Sequence, residues 1–148
     1  MSSKVVANVA VVAVGGRGIL IEGPPGSGKS SLALALIDRG AVLIGDDGVT
    51  LAAKEGTILA SPPPNTAGLL EIRNVGIVEL PTTHAPLALI LSLDREAARY
   101  PLEVSERVVE GIPVPVLPFA AGDAVQALRA EYALLKHGLR FPPTLQTA

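Results

Sequence analysis

A short glycine-rich segment near the start of the chain carries the clearest chemical signal. It fits the pattern G-x-x-x-x-G-K-[ST], in which small residues let backbone N–H groups turn inward around phosphate oxygens. In that pattern the lysine reaches the β- and γ-phosphates and the serine hydroxyl meets Mg²⁺. We therefore predict that this segment binds a nucleoside triphosphate. The candidate binding residues are Gly23, Pro24, Pro25, Gly26, Ser27, Gly28, Lys29, Ser30 and Ser31.

A phosphate loop of this kind, here Gly23–Ser30, requires a strand before it and a helix after it. Gly18–Glu22 is largely apolar and predicts a strand, and Ser30–Asp38 repeats leucine and isoleucine at helical spacing. The N-terminus of that helix would add the positive end of its dipole. This setting favours nucleotide binding over the alternative, which is a glycine-rich turn before an ordinary helix.

Two neighbouring acids, Asp46 and Asp47, follow the short apolar segment Ala41–Ile44, which predicts a strand. A carboxylate at such a strand end commonly lies across from the phosphate loop and engages Mg²⁺ or its water. Successive side chains of an extended segment point to opposite sides, so we expect only one of these acids to face the nucleotide. The alternative is a solvated Asp-Asp-Gly turn.

A further charged pair, Glu71 and Arg73, interrupts the apolar run Leu69–Ile77. Such a pair either faces solvent on a strand or is drawn toward a functional site. The residue pattern by itself favours the solvent-facing interpretation, and both interpretations stay open at this point.

The composition limits the class of protein. The chain has 148 residues, 49% of them hydrophobic, a formal net charge of −2 and no cysteine, which suits one domain over residues 1–148. The charge balance argues against nucleic acid as a main partner, because phosphate backbones attract a basic face. Val5–Val14 is too short to cross a bilayer and predicts a strand, so we expect no membrane segment. A cytoplasmic protein without disulfides is the resulting expectation.

The rest of the chain predicts a mixed α/β domain with many strands and few helices. The apolar strand Leu87–Leu93 is expected at the centre of the sheet, and Ile112–Leu117, which carries two prolines, at an edge or in a loop. Asp123–His137 predicts a helix. The other expected features are strands at Val49–Ala53, Thr57–Leu59 and Val75–Glu79, a helix or loop at Leu69–Arg73, a partly helical Arg95–Glu110, and an apolar face of the last helix formed by Ala124, Leu128, Tyr132 and Leu135.

Taken together, these motifs resemble the catalytic domain of the HPr kinase/phosphorylase family, in a short form without the usual N-terminal domain. The resemblance rests on four segments, Gly18–Ser30, Leu32–Gly40, Ala41–Asp47 and the signature Leu69–Ile77. It implies an α/β P-loop domain with a strand-rich mixed sheet, akin to phosphoenolpyruvate carboxykinase. It also implies ATP- and Mg²⁺-dependent phosphorylation of a serine on an HPr-like phosphocarrier protein, phosphorolytic removal of that phosphate, and a homo-oligomer, commonly a hexamer.

The resemblance assigns roles to the residues that match the family's motifs. Lys29 matches the lysine of the phosphate loop, and Ser30 and Glu71 match the Mg²⁺ ligands. Asp47 matches the base that accepts the serine proton and returns it in the reverse reaction, and it is counted as a further candidate metal ligand. These roles form a coherent set, because a serine hydroxyl is a weak nucleophile that needs a positioned carboxylate.

The remaining catalytic candidates also follow from the resemblance. Asp46 is expected to support the metal shell, and Arg73 belongs to the signature that serves both reactions. Arg99 aligns with a catalytic arginine of the family. Asn8 stands where the family has a histidine that holds or tunes the catalytic aspartate, and an asparagine can hydrogen-bond but cannot titrate near neutral pH.

Other positions depart from the family pattern. Ser31 replaces an acidic residue, Asn74 replaces a glycine, and Pro118–Asp123 has no basic residue where longer members carry an arginine-bearing loop linked to dephosphorylation. With Asn8, these changes motivate an alternative function, a nucleotide-binding regulatory module with weakened catalysis. A further alternative, a small-molecule kinase, predicts an arginine-rich lid, for which Arg95–Arg107 is the candidate stretch.

Overall fold

The computed structural model describes residues 3–101 and 103–141. These residues form many strands and few helices, which confirms the predicted α/β class with a strand-rich mixed sheet. No helix in these ranges is long and apolar enough to cross a membrane. In chain order the elements are β1 (Ser3–Ala7), β2 (Ala10–Val14), β3 (Arg17–Glu22), α1 (Lys29–Asp38), β4 (Val42–Gly45), β5 (Gly48–Lys54), β6 (Thr57–Ser61), β7 (Leu69–Ile72), β8 (Gly76–Glu79), β9 (Ala85–Leu93), β10 (Ser105–Val109), β11 (Ile112–Phe119) and α2 (Gln126–His137).

Within the described ranges, nine strands form one mixed sheet and β7 pairs with β8 as a separate hairpin. The order is β1-β5-β6-β9-β3-β2-β4, and β11 also lies beside β9 with β10 on its outer side. Strands β3, β9 and β11 run parallel to one another. Their carboxyl ends therefore meet at one edge of the sheet, which is the edge where open α/β sheets bind ligands.

Side chains of the central strands point alternately into two apolar cores. Ile19 and Ile21 of β3 pack on the side that holds α1 and α2, whereas Leu20 packs on the opposite side with residues of β5 and β6. Strand β9 is buried along almost its whole length, as predicted for a strand covered on both faces. The two covered faces fix β3 in place, and β3 is the strand that leads into the phosphate loop.

The predicted strand Val5–Val14 is divided into β1 and β2 at Asn8. Asn8 has a φ of 64°, a left-handed conformation that asparagine tolerates better than most residues. Strand β1 pairs with β5, whereas β2 pairs with β3 and β4. The break therefore carries the chain from one part of the sheet to another, which alternation of apolar residues could not reveal.

Helix α2 begins at Gln126, three residues later than predicted, and its predicted apolar face lies in solvent. Leu128, Tyr132 and Leu135 are 38%, 64% and 58% exposed, and Ala124 is also exposed and precedes the helix. Small side chains allow a helix to approach a sheet closely, and three of the four buried residues of α2 are alanines. The buried residues are Ala127, Ala130, Ala133 and Leu134.

Two further expectations differ from the structure, and the expected edge strand Ile112–Leu117 is an edge strand over its first part. Leu69–Arg73, expected as a helix or loop, contains strand β7, and the described part of Arg95–Glu110 contains strand β10 and no helix. Strand β11 pairs with β10 along its first part and also with β9 from Val116 onward. Pro113 and Pro115 therefore lie where β11 has a neighbour on one side only, which is where a sheet accommodates proline.

Candidate functional site

The phosphate loop connects the end of β3 to the start of α1, which confirms the predicted strand-loop-helix order. Gly26 and Gly28 have φ values of 77° and 102°, and the Ser27 N–H donates to the Pro24 carbonyl oxygen over 3.1 Å. Gly23 is held between two neighbours, because a Cβ added there would lie 2.6 Å from Ser27 Oγ and 3.0 Å from Leu93 Cβ. The loop is thus a tight turn that only glycine allows at these points.

The start of α1 is free to interact with an anion. Its N-cap is Gly28, which offers no side-chain hydrogen bond, and its first turn contains no acidic residue. The first backbone N–H groups of a helix lack partners within the helix and carry its positive dipole end. This end of α1 therefore suits phosphate binding.

Lys29 lies across the phosphate loop. Its Nζ donates hydrogen bonds to the Gly23 carbonyl oxygen over 2.7 Å and to the Pro24 carbonyl oxygen over 3.3 Å. The two bonds fold the side chain back over the turn, so that the ammonium group lies at the loop and not in bulk solvent. A cation in this position can meet phosphate oxygens held by the loop.

A cavity of about 590 Å³ opens beside the loop. The phosphate loop and α1 form one wall and the β7–β8 hairpin forms the other. Most of the lining residues are among the predicted site residues. Leu34, which follows Ser30 by one helical turn, and Ile72 are the two that no sequence motif indicated as site residues. The lining residues are Gly26, Ser27, Gly28, Lys29, Ser30, Ser31, Leu34, Glu71, Ile72 and Arg73.

Asp46 is the one charged side chain that is buried in the described ranges. Its Oδ1 accepts a hydrogen bond from Ser30 Oγ over 2.7 Å, and its Oδ2 accepts one from the Glu71 backbone N–H over 3.4 Å. A buried carboxylate is tolerated when such bonds satisfy its oxygens. Asp46 therefore joins the first turn of α1 to strand β7 at the candidate site.

A tight turn after β4 presents the two acids. A Cβ added at Gly45 would lie 2.0 Å from the Gly48 carbonyl oxygen, so only glycine fits there. Asp47 has a φ of 62° and is exposed. This left-handed conformation breaks the alternation of an extended chain, and both acids line one cavity. The expectation that only one of them faces the nucleotide stays a prediction.

This second cavity is smaller, about 260 Å³, and lies next to the first. It is acidic on one side and bounded by the phosphate loop on the other. The two cavities share Lys29, Ser30 and Glu71. The residues that line the smaller cavity are Val9, Lys29, Ser30, Asp46, Asp47 and Glu71.

Asn8 contacts the acidic turn through its backbone. The Asn8 N–H donates to the Asp47 carbonyl oxygen over 3.1 Å, and both residues have a left-handed backbone conformation. The contact fixes the backbone of Asp47, which bears the exposed carboxylate. The observed link from position 8 to the candidate base is therefore a main-chain hydrogen bond.

Glu71 and Arg73 come from the β7–β8 hairpin. Glu71 lies on β7 and Arg73 at the turn, beside Asn74, which has a φ of 68°. Both charged side chains are exposed, yet Glu71 lines both cavities and Arg73 lines the larger one. The solvent-facing and site-facing interpretations are thus compatible, because these cavities are open to solvent.

Arg99 lies apart from the two cavities. It lines a different cavity of about 490 Å³ near the end of β11 and helix α2, and its guanidinium carbon is 5.8 Å from the centre of the Tyr100 ring. The structure thus brings the other predicted acids and bases together but not Arg99. In the described residues, no group of three His, Cys, Asp or Glu side chains forms a metal-binding cluster by itself.

Comparison with known proteins agrees with this geometry. Residues 1–89 match the family model described as the HPr Serine kinase C-terminal domain. The chain belongs to this family. The match includes the phosphate loop, both acids of the turn and the β7–β8 hairpin, whereas Arg99 and the Pro118–Asp123 loop lie outside it. The predicted family resemblance is therefore confirmed.

Individual relatives of the HPr kinase family give the same result. The chain is 49% identical over 70 residues to the HPr kinase/phosphorylase of Clostridium botulinum (strain Eklund 17B / Type B), covering 47% of this chain and 23% of that protein. It is 42% identical over 82 residues to the HPr kinase/phosphorylase of Clostridium acetobutylicum, covering 55% of this chain and 27% of that protein. The chain thus spans about a quarter of the length of these curated relatives.

A solved structure of the family shares the fold along most of the chain. The structure of the Hpr(Ser) kinase/phosphatase from Coxiella burnetii superposes with a TM-score of 0.78 at 27% identity, covering 90% of each chain. Its fold match therefore extends beyond residue 89, where the family model ends.

Proposed function

We propose that this domain binds ATP with Mg²⁺ and transfers the γ-phosphoryl group to a serine of an HPr-like phosphocarrier protein. The observation that carries this proposal is the 2.7 Å hydrogen bond from Ser30 Oγ to Asp46 Oδ1, with Asp47 in the same cavity. It joins the phosphate loop to a pair of acids. A phosphate-binding loop next to a free carboxylate is the arrangement that phosphoryl transfer to a hydroxyl requires.

Nucleotide binding rests on the loop and on α1. The uncapped N-terminus of α1 and the Lys29 ammonium, which lies 2.7 Å from the Gly23 carbonyl oxygen, are positive groups at the cavity beside the loop. ATP carries several negative charges, and fixed dipoles and cations compensate them without reorganisation. We expect the triphosphate to lie along Gly26–Ser30, with Lys29 against its terminal phosphates.

The donor atoms around the smaller cavity suit Mg²⁺. This ion prefers oxygen ligands in an octahedron and usually keeps several waters while binding one or two carboxylates and substrate phosphates. The Ser30 hydroxyl and the Glu71 carboxylate are such donors, with Asp47 as a further candidate. Asp46 supports them through its hydrogen bonds with Ser30 and with the Glu71 N–H. When bound, Mg²⁺ supplies positive charge that offsets the negative charge on the transferred phosphoryl group.

Asp47 is the residue that we assign as the base. Its exposed carboxylate accepts the proton of the substrate serine while the serine oxygen forms a bond to the γ-phosphorus. The bond from that phosphorus to the bridging oxygen breaks, and ADP leaves. In phosphorolysis the bond from phosphorus to the serine oxygen breaks, phosphate accepts the phosphoryl group, and Asp47 returns the proton to serine.

The arginine-rich lid of a small-molecule kinase has little support in this chain. The candidate stretch Arg95–Arg107 ends in the first residues of strand β10, where Arg107 is bound to Glu22. The open cavities favour a protein substrate that brings its serine to Asp47. The homo-oligomer implied by the family resemblance and the cytoplasmic location expected from the composition stay predictions.

A second candidate function is a nucleotide-binding regulatory module with weakened catalysis. The observation that favours it is that Asn8 reaches Asp47 through a main-chain hydrogen bond, and asparagine cannot titrate near neutral pH. This candidate predicts ATP binding without transfer to HPr. It also predicts that Asn8→His raises transfer, because a histidine can tune the carboxylate of Asp47.

The discriminating experiment incubates the purified chain with γ-labelled ATP, Mg²⁺ and HPr. Appearance of label on an HPr serine supports the kinase, and an HPr variant with that serine changed to alanine is the control. Addition of inorganic phosphate then tests for removal of the label. ATP binding with no labelled HPr overturns the kinase proposal and favours the regulatory module.

A further inference from the structure

A bidentate ion pair lies one residue before the phosphate loop. Arg107 Nη1 donates to Glu22 Oε1 over 2.6 Å, and Arg107 Nη2 donates to Glu22 Oε2 over 2.8 Å. Glu22 is the last residue of β3, so its carboxylate belongs to the residue next to Gly23. Two parallel N–H···O bonds make this ion pair directional as well as strong.

The strand order explains how Arg107 reaches this position. Arg107 lies opposite Val114 in the β10–β11 pair, β11 lies beside β9, and β9 lies beside β3 with Ser92 opposite Glu22. Directly opposed residues of a sheet share a face, and the face of Arg107 is that of the buried Val114. The Arg107 guanidinium of the β10–β11 hairpin thus reaches past β11 and β9 to Glu22, at the entry of the phosphate loop.

Glu22 is an acid that the proposed mechanism does not use. Hydrogen bonding by Arg107 holds the pKa of Glu22 below its usual value of 4.5 and raises the pKa of Arg107, so both groups are charged at neutral pH. Asp46, Asp47 and Glu71 already place negative charge at the site. An uncompensated carboxylate next to Gly23 would repel the phosphates of an incoming nucleotide.

We propose that Arg107 is a positioning residue that neutralises Glu22 and thereby keeps the entry of the phosphate loop favourable for a nucleoside triphosphate. This inference rests on the proposed nucleotide binding. Glu22 shares a peptide unit with Gly23, whose carbonyl oxygen accepts the 2.7 Å bond from Lys29. The Glu22–Arg107 pair therefore adjoins the loop residue that Lys29 contacts.

The test compares Arg107→Gln, Glu22→Gln and the double variant in equilibrium binding of ATP and ADP with Mg²⁺ at low salt. We expect Arg107→Gln to weaken ATP binding about fivefold, because it exposes the Glu22 charge, and to weaken ADP binding less. The double variant should return to within about twofold of the wild type, because it removes that charge as well. Added salt should shrink the Arg107→Gln defect.

Matched variants separate this effect from simple loss of an ion pair. Arg39→Gln breaks the Arg39–Glu131 pair, which is 2.9 Å long and joins the end of α1 to α2, and should leave ATP binding unchanged. Arg107→Lys keeps the charge and should stay within about twofold of the wild type. Circular dichroism of each variant shows whether it is folded.

The inference is overturned if Arg107→Gln binds ATP as the wild type does. It is equally overturned if the double variant binds as weakly as Arg107→Gln, since the pair would then be structural only. A wild-type chain that binds neither ATP nor ADP is a different result, because it overturns the proposed function itself.

Discussion

Ser30 Oγ donates a 2.7 Å hydrogen bond to Oδ1 of the buried Asp46. The contact joins the first turn of α1 to the turn after β4, and Asp46 Oδ2 also accepts the Glu71 N–H. A single carboxylate therefore contacts both residues that supply the candidate Mg²⁺ ligands Ser30 and Glu71. This relationship makes Asp46 a structural centre of the site as well as a member of it.

Replacing Asp46 with alanine should lower both stability and Mg²⁺-dependent ATP binding. The Ser30 hydroxyl and the Glu71 N–H would lose a buried acceptor, at a cost of about 1–3 kcal/mol in the free energy of unfolding. Urea denaturation measures the first effect, and ATP titration with and without Mg²⁺ measures the second. Asp38→Ala, at an exposed position of α1, is the control. Unchanged stability would show that the Ser30–Asp46 bond does not hold the site together.

The Lys29 side chain should be essential for use of ATP. Lys29→Ala removes the only basic side chain that lines both candidate cavities in the described part of the chain, so phosphotransfer should fall by at least about 100-fold. Lys54→Ala is the matched control, because Lys54 is exposed at the end of β5 and lines neither cavity. Labelled-phosphate transfer to HPr gives the rate. Near-normal transfer by Lys29→Ala would remove the loop lysine from the mechanism.

Asp47→Asn separates catalysis from binding. Asparagine tolerates the left-handed conformation of this position, φ 62°, so the turn should persist, while the base is lost and transfer falls about 10²–10⁴-fold. ATP affinity, measured by titration calorimetry, should change little. Asp38→Asn makes the same chemical change at an exposed site. A parallel loss of ATP binding would assign Asp47 to the metal instead of the serine proton.

The local parts of the site could be predicted from sequence, because they depend on residues close in the chain. The strand, glycine-rich loop and helix around Lys29 follow from neighbouring residues, and the acids after β4 follow from a short apolar strand. Long-range features could not be predicted. The Glu22–Arg107 pair spans 85 positions, and the left-handed Asn8 and Asp47 conformations arise where β1, β2 and β4 meet.

Helix α2 shows the same limit in another form. Its sequence contains one stripe of large apolar residues and one of small ones, and periodicity alone favoured burial of the large stripe. The structure buries Ala130 and exposes Tyr132. The deciding factor is how closely the helix packs on the sheet and on α1, which no local pattern reports.

Gly45→Ala should destabilise the turn that carries the acids. The added Cβ would lie 2.0 Å from the Gly48 carbonyl oxygen, so the backbone must move, and a loss of more than about 2 kcal/mol in the free energy of unfolding is expected. Gly48→Ala is the control, since its Cβ would meet neighbours at 3.5 Å or more. Urea denaturation of both variants is the measurement. Equal stability of the two would mean that the turn relaxes easily.

The Glu22–Arg107 pair should make stability depend on pH. Hydrogen bonding by Arg107 lowers the pKa of folded Glu22 below 4.5, so its contribution is fully present above the pKa of the unfolded chain and is lost as the pH falls through the folded pKa. Solvent screening keeps the contribution to about 1 kcal/mol. Urea denaturation from pH 7 to pH 2 should therefore give the wild type a higher free energy of unfolding than Arg107→Gln at neutral pH. The difference between the two should shrink as the pH falls. Glu22→Gln, which has no carboxyl group to titrate at position 22, serves as the reference. If the difference in unfolding free energy between wild type and Arg107→Gln stays constant with pH, the pair stabilises the fold by packing and not by charge.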